Sequence, residues 1–220
     1  MKPDSDRRVQ ADGRRVTATT ALERVGSALC GARTGILVIG LTYAVSLTTG
    51  ILMAHLGSQF ALGYRDSLVA AAHRADPAAR ADDAGAPGRA AVIDFSRNLG
   101  LAAIPETIGG LTFILPVSLA AYRGWVGGIV SVDGRHQSRL GRTRAAVYYL
   151  VTLALQLSAF TLAGGSGLHL GWAFFRKRGP FVGPPWFRLP GPALADVAWI
   201  YSLVVPLFAL GSLWEFLRPI

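Results

Sequence analysis

The chain has 220 residues, of which 22 are Lys or Arg and 13 Asp or Glu, for a net charge of +9, and 16% are charged against 51% hydrophobic. Soluble domains carry about 25% charged residues, and here the charges are so unevenly placed that long stretches hold none. This excludes a disordered tail, a free cytoplasmic enzyme and a disulfide scaffold, since the single cysteine, Cys30, has no internal partner, and it leaves a polytopic membrane protein.

Up to Arg33 the chain holds seven basic residues (Lys2, Arg7, Arg8, Arg14, Arg15, Arg24, Arg33) against Asp4, Asp6, Asp12 and Glu23, which predicts a cytoplasmic N-terminus. Thr20 and Glu23 have capping-box spacing, and Leu22, Val25 and Leu29 share a helical face, so an amphipathic helix is expected along the inner leaflet. Thr34 to Tyr64 contains no Asp, Glu, Lys or Arg. A bilayer core needs about 20 apolar helical residues, so a first span runs from Thr34 to about Gly57, and Phe60, Tyr64, Leu68 and Ala71 extend the helix on the outer side. The segment 58–97 is expected to be external, with Ala75 to Ala91, rich in Ala, Asp, Gly and Pro, as a flexible loop.

Asn98 to Tyr122 has Glu106 as its one charge and is expected to be a single span, kinked or broken by Pro105, Gly109-Gly110 and Pro116. Arg123 to Arg144, with five bases and Asp133, is placed inside, Gly124 to Val132 lying on the inner leaflet. Ala145 to Phe175, again without Asp, Glu, Lys or Arg, is too long for one untilted span, and Gly164-Gly165-Ser166-Gly167 is read as the turn of a broken hairpin. The bases Arg176, Lys177, Arg178 and Arg188, with the aromatic Trp186, are placed inside the cell and read as an interfacial anchor on anionic lipid, the alternative being a dedicated partner-binding loop. A last span runs from about Ala193 to Leu217, kinked at Pro206. The expected architecture is all-helical, with about five membrane segments including broken or re-entrant ones, in the domain 34–220.

The basic residues lie between apolar runs and not on one folded face, so no nucleic-acid partner is expected. An ionisable group within a span is expensive and suggests function. Glu106 follows Pro105, so it is either a first-turn helix cap or a polar site. Glu215 either pairs with Arg218 one turn on or serves as a site. Gln156 and His169 read as cross-helix hydrogen-bonding groups. Gly124/Gly128 and Gly167/Gly171, beside Gly164 and Gly165, have the small-residue spacing that lets helices approach closely. His55, His73, His136 and His169 are scattered over separate segments, so no metal or other cofactor is expected. Ser131, Asp133 and His136 crowd into six residues, too local for a catalytic triad.

Three stretches together resemble the stage II sporulation protein M family of membrane proteins. They are Arg97-Asn98 leading a Gly-interrupted span to Arg123-Gly124-Trp125-Val126-Gly127-Gly128; Leu155 to Ala159 followed by Ala163 to Gly171; and Val205-Pro206-Leu207 to Glu215-Phe216 and Pro219. Gln156 stands where the family commonly has Glu, and Arg123 where Asn is usual. The resemblance implies a helical membrane protein of the cell envelope without a catalytic site. It would serve as a scaffold for wall-degrading partners or accompany an ABC exporter. The alternative is a transport subunit with its own substrate pathway.

Overall fold

The computed structural model describes residues 21–177, 179–184 and 187–217. Thr20, Arg178, Trp186 and Arg218, all named above, lie outside the described residues. Among the described residues, three helices are long and apolar enough to cross a membrane: α1 (Ala21–His55), α7 (Thr143–Phe175) and α8 (Gly191–Phe216). The fold is all-α apart from a two-stranded antiparallel ribbon, β1 (Phe181–Val182) with β2 (Leu189–Pro190).

Helix α1 begins well before Thr34. The segment expected to be a separate interfacial helix is continuous with the span, because Ala28, Ala32, Gly35, Ile39 and Tyr43 form one buried stripe. The helix ends at His55, and Gly57, at φ 74°, turns the chain. The expected continuation past Gly57 is therefore a new helix, α2 (Gln59–Ala75), whose first turn is capped by Ser58. The expected loop Ala75 to Ala91 is also largely helical: α3 (Pro77–Asp83) and α4 (Pro87–Ser96). Proline at the first helical position costs no hydrogen bond, and Asp76 caps α3 by accepting from the Ala78 N–H at 2.8 Å.

The chain from 97 to 129 departs most from expectation. A π-helical turn (Arg97–Ala103) leads into α5 (Ile104–Gly109). Pro105 has no N–H to offer the Leu101 carbonyl, so the ladder must widen just before it. A 3₁₀ turn (Gly110–Thr112) follows, and at Phe113, with φ 57°, the chain reverses into α6 (Ile114–Ile129). The expected single span is thus a helical hairpin. Its reversal is held by the Phe113 ring against Trp172 (6.1 Å between centroids) and Phe175 (5.6 Å).

The expected hairpin in residues 145–175 does not form, since α7 is one continuous helix of 33 residues. A chain break there would strand peptide groups away from water. Instead Gly164, Gly165, Gly167 and Gly171 stay helical and admit neighbouring helices. α8 follows as one helix through Pro206.

Close approaches give the directions. Gly50 lies against Gly128, and Gly124 against Tyr43 and Ser46, so α6 runs parallel to α1. Gly35 meets Gly165 and Gly31 meets His169, so α7 is antiparallel to α1. Trp214 reaches the Tyr148 carbonyl while Asp196 reaches His169, so α8 is antiparallel to α7. One end of the bundle gathers the start of α1, Phe113, the end of α7 and the start of α8. The far end gathers His55, α2, the start of α7 and the end of α8.

This arrangement corrects the expected topology. The charge pattern places segments 58–97 and 123–144 on opposite sides, yet residues 58–97 and 130–144 meet at the far end. His55 Nε2 lies 2.9 Å from Ser138 Oγ, His136 Nε2 2.9 Å from Asp66 Oδ2, and the Tyr64 and Tyr122 hydroxyls 3.2 Å apart. Arg176, Lys177 and Arg188 lie at the opposite end from segment 58–97, where the sequence places them relative to it, so only the segment after α6 changes ends. Residues 124–129 do not lie along a leaflet; they form the last part of α6, packed on α1.

Candidate functional site

The polar centre of the bundle is built across the 97–129 hairpin. Glu106, in the first turn of α5, has no solvent exposure. It does not act simply as a helix cap: the Arg123 guanidinium, from mid-α6, donates to its Oε2. Seventeen residues separate the two in sequence, and the reversal at Phe113 brings them face to face. The guanidinium carbon also sits 3.9 Å from the centroid of the Phe160 ring on α7, an arrangement that stabilises a desolvated cation. The sequence places Arg123 at the start of a cytoplasmic loop, and its pairing with Glu106 makes it part of the core instead.

Around this pair, Thr107 Oγ1 donates to the Ala163 carbonyl at 3.0 Å and lies 2.7 Å from the Tyr201 hydroxyl, joining α5, α7 and α8. Glu106 Oε1 and Tyr43 Oη are buried with no hydrogen-bond partner among the described residues. Gly164 sits directly over the carboxylate: a Cβ added there would come 2.8 Å from Glu106 Oε1.

The other intramembrane candidates do not converge on Glu106. Gln156 Nε2 donates to Glu215 Oε2 at 2.8 Å, joining α7 to α8 toward the far end. His169 Nε2 lies 3.0 Å from Asp196 Oδ2, joining the same helices at the opposite end. The structure thus distributes the four named residues over three separate cross-helix joints. Arg123 and Gln156 each contact a glutamate.

Each of the named glycines lies at a helix contact. A Cβ on Gly128 would fall 2.3 Å from the Leu47 carbonyl oxygen, on Gly165 2.6 Å from Ile36 Cα, on Gly167 2.7 Å from the Thr107 carbonyl oxygen and on Gly171 2.3 Å from the Gly110 carbonyl oxygen. Such backbone-to-backbone approach excludes any side chain. Sequence reasoning missed the opposing glycines, Gly35, Gly50 and Gly110, although Gly31/Gly35 shows the same i, i+4 spacing. It also missed Asp94, which accepts from Ser212 Oγ at 2.7 Å and ties α4 to the end of α8.

The Ser131, Asp133 and His136 grouping has separate uses. Ser131 is buried, Asp133 accepts from the backbone N–H groups of Arg135 (2.9 Å) and Gln137 (3.0 Å), and His136 turns to Asp66. The two amides hold the Asp133 carboxyl below its ordinary value, and Arg65 followed by His136 does the same for Asp66.

Comparison with protein-family models, characterised proteins and solved structures finds no match to this chain.

Proposed function

We propose that the chain is a non-enzymatic integral component of a cell-envelope or export complex in the cytoplasmic membrane, a scaffold of the kind the stage II sporulation protein M resemblance implies. The observation that carries this reading is the enclosure of the Glu106–Arg123 pair: the one carboxylate at the centre of the bundle is matched by a cation and covered by Gly164, Phe160 and Tyr43. Glu106 Oε2, Arg123 and Thr107 hold helices together here. Gln156–Glu215 and His169–Asp196 serve in the same way.

In this reading the membrane domain has five segments: α1, the descending stretch from Asn98 to Thr112, α6, α7 and α8. The N-terminus is cytoplasmic. Bases stand at both ends of the bundle, so orientation follows the first helix, which usually dominates and here is preceded by Lys2 and a series of arginines.

The test is affinity purification of the full chain in mild detergent from its own host. Stoichiometric recovery of wall hydrolases or of ABC-exporter subunits supports the scaffold. Recovery of the chain alone, with solute flux when it is reconstituted by itself, overturns it in favour of a transport subunit. That second reading draws on the broken helix at Arg97–Ala103 and on the unpartnered Glu106 Oε1 and Tyr43 Oη.

A further inference from the structure

Between the first half of α1, the start of α6 and the end of α7 lies a lateral cavity of about 840 Å³, within the range of about 300–1,000 Å³ that holds small ligands. Its wall on α1 extends from Ser27 to Val38, which is roughly 16 Å of helix.

Val38 and Val117 lie toward the bundle's middle, Arg33 on α1 and Leu168 on α7 at mid-height, and Arg176 at the end of α7 toward the outer rim, beside Ser27. Neither arginine forms an ion pair among the described residues. Arg176 is held in place by the Trp172 ring, 4.4 Å from its centroid. Asp196, at the same end of the bundle, is engaged by His169. Two guanidinium groups without an ion-pair partner among the described residues therefore line one largely apolar cavity beside a membrane helix.

We propose that this groove binds an anionic phospholipid, its phosphate between Arg33 and Arg176 and one acyl chain along Val38, Val117 and Leu168. Arginine suits a phosphate because its planar fork donates two parallel hydrogen bonds. The proposal rests on membrane placement alone and is independent of the scaffold reading.

The test uses purified full-length protein in mild detergent, with bound lipid counted by native mass spectrometry during titration with phosphatidylglycerol, phosphatidylcholine or inorganic phosphate. The expected result is about tenfold or greater preference for phosphatidylglycerol, as two cations at an anionic headgroup supply, with no competition from millimolar phosphate. The double variant Arg33→Gln, Arg176→Gln should bind both lipids alike. Both positions are exposed, and matched helix content shows that the fold is kept. Val38→Trp leaves the arginines in place, fills the slot and should weaken phosphatidylglycerol binding by a similar factor.

Equal binding of the two lipids by the wild type, displacement by free phosphate, or undiminished phosphatidylglycerol binding by either variant overturns the proposal. Release of the chain from membranes by alkaline carbonate would instead overturn the membrane placement itself, so the two failures are distinguishable.

Discussion

Removing one member of the Glu106–Arg123 pair separates a structural ion pair from a spare polar group. Glu106 is fully buried and the Arg123 side chain is 21% exposed, so both charges are largely out of water. Breaking such a pair by deleting one partner costs about 3–5 kcal/mol, because the survivor is left as an uncompensated buried charge. Glu106→Gln keeps the shape and an acceptor oxygen for Arg123, but leaves the guanidinium charged between Phe160 and a neutral amide. Residual exposure of Arg123 sets the expected loss at the lower limit, about 3 kcal/mol. For a chain of this size that is a fall in melting temperature of roughly 6–12 °C. Glu106 alone, as the helix cap expected from sequence, would contribute only about 0.3–1 kcal/mol.

Arg123→Met strands the carboxylate instead and should cost at least as much. The double variant Glu106→Gln, Arg123→Met removes both charges and should recover part of the loss, since apolar replacement of a whole buried pair is often close to neutral. The assay is thermal unfolding in detergent, completed as a double-mutant cycle. If Glu106→Gln and Arg123→Met each unfold at the wild-type temperature, or if their losses add without coupling, the two residues do not act as a pair. The argument for an enclosed structural centre then fails.

Other outcomes follow from the helix contacts. Gly171→Leu places a side chain where even a Cβ would come 2.3 Å from the Gly110 carbonyl oxygen, so folded yield should collapse. Gly63→Ala, with open space around its Cβ, should raise stability by about 0.5–1 kcal/mol; equal yields for both variants would refute the packing argument. In a Cys30→Ser background, single cysteines at Arg135 and Arg188 should label from opposite sides of the membrane with an impermeant reagent, and labelling of both from one side would contradict the helix directions. Acid should loosen α2 from the 131–142 segment. Asp66 has its carboxyl lowered in the folded state below the ordinary 3.8, so its contribution is present above that pH and is lost as pH falls through the lower folded value. Hydrogen exchange in 131–142 should therefore accelerate below about pH 4, and Asp66→Asn should show the faster exchange already at neutral pH.

What the sequence determined by itself is one-dimensional: which stretches are apolar enough to sit in lipid, that they form helices, and that glycines mark special points along them. Charge-free runs within α1, α7 and α8 were legible because hydropathy depends only on local composition. Pairing does not. A run of glycines is equally suited to a chain break and to close helix contact, and the opposing Gly35, Gly110 and Thr107 decide for contact in α7. A single arginine at the end of an apolar run reads as a loop charge until a carboxylate 17 residues away is brought opposite it. The reversal at Phe113 does this, a non-glycine residue at positive φ held by aromatic contacts with Trp172 and Phe175 that no local pattern announces. Once the chain turns there, α6 carries the chain to the end opposite the expected one, and the unbroken α7 returns it to the expected end before α8. The end at which residues 130–144 emerge was therefore decided by tertiary packing: helix direction is a property of contacts between segments, and composition within a segment carries no record of it.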